Sequence, residues 1–339
     1  MSCFQGKNIL ITGATGLIGS HIVDRLMKLG AENVIAVGRK KNKLEQVFKE
    51  YLGRSDFRII EQDISEGIPS IDYPIHFIFH AAGPMERKVV ENTPVNVILP
   101  NLIGTINCLE YLRIQKNNKK IDGRLVLFSS VTVYANNKGM DVIVSEDETD
   151  VAGTIEASNA SYAESKRMAE VIARSYNKQF GIDVVIARFS TVYGDTRIIP
   201  DTAFYEFLKK TARGENIEVN SAEAPRRDNI YIEDAVNGVL LICEKGKSNE
   251  AYNISSGGEK GNGAAIDEIA SNMARLSNEY FKRNKEDAVC VTYKTPLSGA
   301  RKPSLMLNNE KLKRLGWNVE YGMDEGIMKT LEWYIDVNE

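Results

Sequence analysis

Along the first 190 residues, short runs of apolar and often β-branched residues alternate with longer segments whose apolar positions recur at helical spacing. The short runs are typical of strands buried on both faces of a sheet, and they occupy residues 8–11, 33–37, 57–60, 75–80, 124–128 and 184–188. Helical spacing is found at residues 20–27, 95–113 and 161–179. This alternation predicts an α/β fold with a doubly wound parallel sheet.

After residue 190 the alternation loosens and turn residues become more frequent. The pattern still predicts helices at 202–213, 232–245, 265–281 and 309–315, and short strands at 217–219 and 288–293. A chain of 339 residues is long for a single core. We therefore expect a main domain of residues 1–190, to which a later strand and helices return, and a smaller mixed α/β lobe of residues 191–339. The lobe would cover the carboxyl edge of the sheet, where ligands of such folds bind.

The first predicted strand leads directly into three glycines, Gly13, Gly16 and Gly19, before the first helix. Bare backbone at such a turn lets a diphosphate approach N–H groups at the positive end of the helix dipole. The spacing is GxxGxxG and not the GxGxxG of most dinucleotide folds, and a merely structural turn is the alternative. As a cofactor site, the turn would supply Gly13, Thr15, Gly16, Leu17, Ile18 and Gly19.

The second predicted strand ends in Gly38-Arg39-Lys40-Lys41. A NAD site usually has an acidic residue here that accepts hydrogen bonds from the ribose, whereas arginine and lysine suit the 2′-phosphate of NADP. Arg39 therefore favours NADP over NAD, and a solvated basic loop is the alternative.

Two residues of the predicted helix 161–179 have the spacing of an acid–base pair. Tyr162 and Lys166 are four residues apart, so they lie on one helix face about one turn apart. A free phenol has a pKa of ~10 and is a poor base at neutral pH, but a nearby ammonium favours the phenolate. Ser130, just after the strand 124–128, offers a hydroxyl at the sheet edge where an alcohol or ketone would sit. The YxxxK spacing alone is common by chance, and its conjunction with the glycine turn and Ser130 is far more specific.

Composition disfavours several other classes of protein. The net charge of −3 gives no electrostatic footprint for nucleic acid. No apolar run approaches the ~20 residues of a membrane span and the N-terminus lacks a signal peptide's apolar region, so we expect a cytoplasmic protein without membrane association. The four cysteines and three histidines lack metal-ligand spacing, so we expect neither disulfides nor a metal site.

These segments resemble a known family, the extended short-chain dehydrogenases/reductases that act on nucleotide sugars, often described as NAD-dependent epimerases/dehydratases. The resemblance extends over nearly the whole chain. The segments that carry it are 12–19 (TGATGLIG), 62–64 (QDI), 80–82 (HAA), 101–105 (NLIGT), 129–134 (SSVTVY), 162–166 (YxxxK), 188–194 (RFSTVYG), 227–234 (RDNIYIED), 252–254 (YNI), 301–303 (RKP) and 315–317 (LGW).

The resemblance implies a Rossmann domain that binds NAD or NADP, a lobe that binds a nucleotide-diphosphate sugar, and a homodimer formed through the helices 96–113 and 161–179. Besides the glycine turn and Arg39, the cofactor contacts that it implies are Asp63, Ile64, Ala81, Ala82, Asn101, Tyr162 and Lys166. The implied catalytic residues are Ser130, Tyr162 and Lys166, and the implied substrate contacts are Thr132, Thr191, Arg227 and Arg301. For Arg227, a salt bridge with Asp228 or Asp234 is the structural alternative.

The sequence also departs from the family pattern. Val131 and Thr132 stand where sugar 4,6-dehydratases carry an Asp-Glu pair, which disfavours dehydration. Thr191 replaces the usual asparagine and Ser304 the usual aspartate, so the contacts to the sugar and the phosphates differ from the family's.

The resemblance implies hydride transfer between a nicotinamide and a sugar carbon, C4 in most members, for the synthesis of bacterial-type surface-polysaccharide sugars. Tyr162 would exchange the hydroxyl proton, and the same residues serve an epimerase or a ketoreductase. One alternative is a decarboxylase or dehydratase that recruits Glu146 or Glu164 as its carboxylate. Another is a catalytically silent NADP-binding regulator.

Overall fold

The computed structural model describes residues 2–84, 87–134, 139–148, 155–295 and 299–338. Its strands, numbered in chain order, are β1 (Asn8–Thr12), β2 (Asn33–Gly38), β3 (Phe57–Glu61), β4 (Phe77–His80), β5 (Arg124–Ser130), β6 (Val142–Val144), β7 (Asp183–Phe189), β8 (Thr191–Tyr193), β9 (Ile217–Val219), β10 (Arg227–Tyr231), β11 (Glu250–Ile254), β12 (Gly263–Ala264), β13 (Val291–Tyr293) and β14 (Leu305–Leu307). Its helices are α1 (Leu17–Lys28), α2 (Lys41–Val47), α3 (Arg87–Asn92), α4 (Val95–Lys119), α5 (Ala160–Phe180), α6 (Ala203–Ala212), α7 (Ile232–Lys245), α8 (Ile266–Tyr280), α9 (Glu310–Lys313) and α10 (Met323–Asp336).

Within the described residues, the main sheet has seven strands in the order β11-β7-β5-β4-β1-β2-β3. All the pairings in it are parallel, so the carboxyl ends of the strands meet at one edge. The strand order reverses at β1, which lies between β2 and β4, and ligands of such sheets bind at a reversal of this kind. The predicted doubly wound parallel sheet is confirmed.

Alternation along the strands assigns the side chains to two apolar layers. Ile9 and Ile11 of β1 pack into the cluster that also contains α1 and α7, whereas Leu10 packs into the cluster that contains α4 and α5. Successive side chains of a strand point to opposite faces, so a continuous apolar run such as that of β1 fits a strand covered by helices on both sides.

The chain after residue 190 contributes one strand to the main sheet and most of the strands outside it. The strand β11 joins the edge of the main sheet beside β7. The strands β12, β10 and β14 form a small mixed sheet with the earlier strand β6, and β8 lies alongside β10. The strands β13 and β9 form a separate pair. The helices α6, α8 and α10 pack together over these strands. The boundary proposed at residue 190 stays a prediction.

Several elements of this second part were missing from the sequence analysis. No helix was assigned after residue 315, yet α10 spans 14 residues and buries Met323, Ile327, Leu331 and Tyr334. Those positions have helical spacing, so the signal was present in the sequence. By contrast, β6, β8 and β14 have only three residues each, and their pairings join segments far apart in the chain. Such short strands have no periodicity of their own, and their partners define them.

The helix α4 differs in one respect from the expectation for this chain. By length and composition alone it is apolar enough to cross a membrane, which the sequence analysis did not anticipate. Its buried Asn101, Thr105 and Gln115 form hydrogen bonds within the protein, and the helix lies beside α5. In the protein, one face of the helix packs against α5 and the other carries exposed apolar side chains such as Leu99.

Candidate active site

The turn between β1 and α1 lies against the end of β4 with no room for side chains. Gly13 has a φ of +64°, and a Cβ atom there would lie 2.7 Å from the backbone of Ala81 and Ala82. A Cβ at Gly19 would lie 2.6 Å from the carbonyl oxygen of Gly13. Bare glycine backbone is therefore required at both positions, as the sequence pattern suggested. The turn opens onto the N-terminus of α1, which suits a diphosphate.

His80 joins the turn to the helix α4. Its Nδ1 lies 2.7 Å from Thr12 Oγ1 and its Nε2 lies 3.2 Å from the carbonyl oxygen of Pro100. Burial, and then the positive charge of Lys166, lower the pKa of His80 to about 3, so the imidazole is neutral. Pro100 lies inside α4 and cannot donate an intrahelical hydrogen bond, so His80 contacts α4 at its proline. His80 thus holds β1, β4 and α4 together.

Arg39 and Asp63 occupy the far end of the same edge. Arg39 is exposed just after β2, and Asp63 follows β3. The Asp63 carboxylate accepts hydrogen bonds from the backbone N–H and the hydroxyl of Ser65, at 2.9 and 2.6 Å. These bonds, and to a lesser extent the nearby Arg39 guanidinium, lower the pKa of Asp63. Arg39 and Asp63 are therefore close enough to interact, one cationic and one anionic.

Ser130 and Tyr162 come together at the carboxyl end of β5. The Ser130 side chain forms a hydrogen bond with the Tyr162 phenol. Ser130 Oγ also accepts a hydrogen bond from the backbone N–H of Thr132, at 3.3 Å, which holds the hydroxyl in place. Burial raises the pKa of Tyr162, and the bond to Ser130 opposes this effect. A neighbouring positive charge is needed to make the phenol an effective acid–base group.

Lys166 supplies that charge from the next turn of α5. It is 6% exposed, its Nζ donates to the carbonyl oxygen of Phe128 at 2.8 Å, and it lies 5.8 Å from the centre of the Tyr162 ring. Burial lowers the pKa of Lys166 to about 8, and the Glu170 carboxylate opposes the decrease. The ammonium is thus mostly charged at neutral pH.

Three buried polar atoms near the catalytic group lack a hydrogen-bond partner in the described part of the chain: Asn101 Oδ1, Thr132 Oγ1 and Ser190 Oγ. Asn101 is anchored by donating from Nδ2 to Ser165 Oγ at 2.9 Å. Its Oδ1 would lie 2.4 Å from a Cβ at Gly83, and Lys166 Nζ would lie 3.2 Å from that Cβ. Buried polar atoms normally have partners, so these atoms fit a bound polar ligand.

Together these observations test the site against a nicotinamide dinucleotide. The glycine turn suits the diphosphate, Arg39 and Asp63 lie at one end, and Lys166 and Asn101 lie at the other. The residues present therefore fit such a cofactor.

Gly83 and Ser190 were not among the predicted site residues. The small residues after β4 gave a signal for Gly83, whereas only the orphaned hydroxyl points to Ser190. Among the described residues, no group of three or more potential ligand side chains is arranged to hold a metal ion.

The two predicted substrate arginines, Arg227 and Arg301, differ in their ion-pair partners. Arg227 is exposed and forms no ion pair with a described residue, because Asp228 accepts from Ser256 and Asp234 accepts from the backbone of residues 320 and 321. The salt bridge considered for Arg227 is therefore not formed. Arg301, by contrast, is paired through two bonds with Asp267, at 2.7 and 3.0 Å.

The remaining candidates are Thr191 and the two alternative carboxylates, Glu146 and Glu164. Thr191 is exposed on β8, next to the orphaned Ser190. Of the alternative carboxylates, Glu146 accepts from the backbone N–H of Asn253 at 2.9 Å and Glu164 is exposed, and neither is hydrogen-bonded to Ser130, Tyr162 or Lys166 among the described residues. The structure thus gives no support to either glutamate as a catalytic carboxylate.

Comparison with known proteins extends these observations. Residues 9–255 match the model of the NAD dependent epimerase/dehydratase family. The chain is 27% identical to UDP-glucuronic acid decarboxylase 3 of Arabidopsis thaliana over 96% of this chain and 88% of that protein. It is 28% identical to UDP-glucuronic acid decarboxylase 1 of Danio rerio over 97% of this chain and 72% of that protein.

Solved structures show the same fold. A UDP-glucose 4-epimerase from Thermotoga maritima, solved with UDP-glucose, gives a TM-score of 0.76 at 24% identity, covering 98% of this chain and 100% of that one. A dTDP-glucose 4,6-dehydratase from Bacillus anthracis, solved with NAD, gives 0.76 at 21% identity, covering 97% of each chain.

The close approach at Gly13 leads to a test with a matched control. We expect Gly13→Ala to weaken the binding of NAD and NADPH by at least about tenfold, because the added methyl group displaces the backbone of residues 81 and 82. Gly6→Ala is the control, since Gly6 has a similar φ of +66° but nothing within 4 Å of its Cβ position. Titration calorimetry measures both affinities. Equal losses in the two variants would attribute the effect to backbone strain and refute the steric argument.

Proposed function

The chain belongs to the NAD dependent epimerase/dehydratase family, and on this basis we propose that it transfers a hydride at C4 of the sugar in a nucleotide-diphosphate sugar. The nicotinamide dinucleotide expected from the sequence is confirmed by this membership. The protein is therefore an enzyme of a family that includes nucleotide-sugar epimerases, dehydratases and decarboxylases. Its specific reaction is the subject of the proposal. A cytoplasmic location stays a prediction.

The observation that carries the proposal is the grouping of Ser130, Tyr162 and Lys166 at one end of the cofactor site. In the direction of oxidation, Tyr162 takes the proton of the sugar hydroxyl and Ser130 donates a hydrogen bond to the same oxygen. Lys166 stabilises the phenolate by its charge. When bound, the nicotinamide accepts the hydride from the sugar carbon and can return it. A silent NADP-binding regulator has no need of these three groups together.

Thr132 narrows the choice among the reactions of the family. Its neutral hydroxyl stands where the dehydratases have a carboxylate, Glu146 is already bonded to the backbone N–H of Asn253, and Glu164 is exposed. Loss of water across C5 and C6 needs a base for the C5 proton, so dehydration is disfavoured. Epimerisation and ketone reduction need only the three groups described above, and we propose these two reactions first.

Decarboxylation is the second candidate, and the relatives favour it. The two UDP-glucuronic acid decarboxylases match nearly all of this chain. Oxidation of a uronic acid at C4 creates a β-keto acid, which loses carbon dioxide readily, so the step does not depend on an additional carboxylate base. C5 would take a proton from solvent, Tyr162 beside Lys166 would return its proton to the C4 oxygen, and the reduced nicotinamide, when bound, would return the hydride to C4.

Mass analysis of the products distinguishes these reactions. We expect the purified enzyme to convert a nucleotide-diphosphate hexose into an isomer of equal mass, or to reduce a 4-keto sugar with oxidation of the cofactor. A product lighter by carbon dioxide from a uronic acid would establish the decarboxylase.

Tyr162→Phe should lower kcat by about 10² to 10⁴-fold in each case, because the proton then lacks a positioned carrier. Near-normal turnover by this variant would contradict the role of Tyr162.

We also propose that the enzyme prefers NADP to NAD. Arg39 is exposed at the end of β2, close to Asp63, where it can pair with a 2′-phosphate. The family's NAD dependence argues the other way, so the preference rests on this residue alone.

Arg39→Asp tests the preference directly. We expect the ratio of NADP affinity to NAD affinity to fall by about 10- to 100-fold, because a charge-assisted hydrogen bond is lost and repulsion is added. Lys285→Asp makes the same charge change at an exposed position of the other lobe and should leave the ratio unchanged. A wild-type ratio in the Arg39 variant would show that the arginine is only a solvated surface residue.

We further propose a homodimer formed through α4 and α5. Exposed apolar side chains on the adjacent outer faces of these helices support it: Val95, Leu99 and Ile103 on α4, and Met168 and Val171 on α5. Apolar patches of this kind are typical of protein interfaces.

Sedimentation equilibrium tests the dimer. We expect the wild type to sediment as a dimer and Val171→Glu to sediment as a monomer, because the substitution buries a charge at the interface. Val337→Glu is the control, since Val337 is 58% exposed near the end of α10. A monomeric wild-type protein at micromolar concentration would rule out the proposal.

A further inference from the structure

A buried ion pair lies directly below the candidate active site. Glu170 on α5 and Arg188 on β7 are 5% and 2% exposed. The Arg188 guanidinium donates from Nε to Glu170 Oε1 at 2.9 Å and from a terminal nitrogen to Oε2 at 2.7 Å. Removing two charges from water is costly, and a pair of this geometry, with further hydrogen bonds, compensates for that cost. The pair is therefore held in one arrangement.

The ion pair lies at the level of Ser129, one residue before Ser130, where three neighbouring strands are in register. Ser129, Arg188 and Asn253 are direct neighbours in the register of β5, β7 and β11. Ser129 Oγ donates to Glu170 Oε1 at 2.6 Å, so the carboxylate binds β5 and β7 at once. The next residue of β5 is Ser130, whose hydroxyl contacts Tyr162. Any displacement of Ser129 is thus transmitted to the catalytic hydroxyl.

Tyr134 closes the network on the other side of Ser130. Its hydroxyl accepts from Arg188 at 3.0 Å and donates to Asn253 Oδ1 at 2.5 Å. The segment 131–133 between Ser130 and Tyr134 is a single turn of 3₁₀ helix. Ser130 therefore lies on a short segment that the same ion pair anchors at both ends.

The third link is Lys166, one helical turn before Glu170. Tyr162, Lys166 and Glu170 follow one another at intervals of four residues, so they share one face of α5. We infer that Glu170 is a positioning residue for the reaction, which holds Ser130 through Ser129 and Arg188 and places a carboxylate one helical turn from Lys166. This inference rests on the proposed function, because it concerns the same catalytic group.

The charge environment of Lys166 agrees with this role. Its own helix presents the Tyr162 phenol and the Glu170 carboxylate, β4 presents the neutral His80, and β5 presents the carbonyl oxygen of Phe128. Glu170 is thus the negative charge that opposes the loss of a proton from the buried ammonium.

Glu170→Gln removes this charge with little change of shape, and Glu332→Gln on the exposed face of α10 is the control for the loss of one carboxylate. We expect Glu170→Gln to lower kcat by about 10- to 100-fold with KM nearly unchanged. The alkaline limb of its pH–activity profile should move to lower pH, because Lys166 then loses its proton more easily. The Lys166 signal in an NMR titration should move in the same direction. Glu332→Gln should match the wild type in all three measurements.

The titration separates this inference from the proposed function. If the wild type acts on no nucleotide sugar, the proposed function fails, whereas the Lys166 titration still tests Glu170. An unchanged titration in Glu170→Gln would overturn the electrostatic role even if kcat fell, since a loosened fold also lowers kcat.

Ser129→Ala provides a second test if Glu170→Gln does not fold. It deletes one hydrogen bond and leaves the Glu170 charge in place, so it should lower kcat by about tenfold and leave the titration of Lys166 unchanged. A wild-type kcat in Ser129→Ala would overturn the link from Glu170 to Ser130.

Discussion

The parallel pairing of β5 with its neighbours is the constraint on which the rest of the site depends. It places the carboxyl ends of β4, β5 and β7 side by side, with Ser130 opposite Phe189 and Leu127 opposite His80. A slip of one residue would turn every side chain to the other face of the sheet. Because both faces are covered by apolar helices, such a slip is costly, and the register in turn determines where the hydroxyl, the phenol and the ammonium meet.

Burial of basic groups is the second organising feature, and it leaves Lys166 and His80 in different charge states. Burial lowers the pKa of Lys166 to about 8, whereas the Glu170 carboxylate one turn away favours the ammonium. His80 contacts Thr12 of β1 and Pro100 of α4, and burial together with the positive charge of Lys166 lowers its pKa to about 3. Two basic groups at one edge of the sheet therefore have different charges at neutral pH. The neutral one holds strands together, and the charged one is available for chemistry.

Features that depend on residues close together in the chain agree with the sequence-based predictions. Features that depend on contacts between distant segments were not predicted. The main strands, α5 and the glycine turn follow from patterns within a dozen residues, and all of them lie close to where the pattern predicted them. The short strands β6, β8 and β14 gave no such pattern, because each exists only through pairing with a distant segment. The substrate arginines show the same limit. Arg227 and Arg301 are equivalent in the motif reading, but only the fold brings Asp267 to Arg301 and leaves Arg227 exposed.

Residues close together in the chain are sufficient to predict the class of fold, the glycine turn and the spacing of Tyr162 and Lys166, since backbone geometry and helical periodicity are local properties. The sequence also raised Arg39 as a reason to consider NADP. The tertiary contacts are of another kind: they bind Glu146 to the backbone N–H of Asn253 and pair Glu170 with Arg188 beneath the catalytic group. Glu146 and Asn253 are 107 positions apart, and contacts over such distances arise from packing, which no local pattern records.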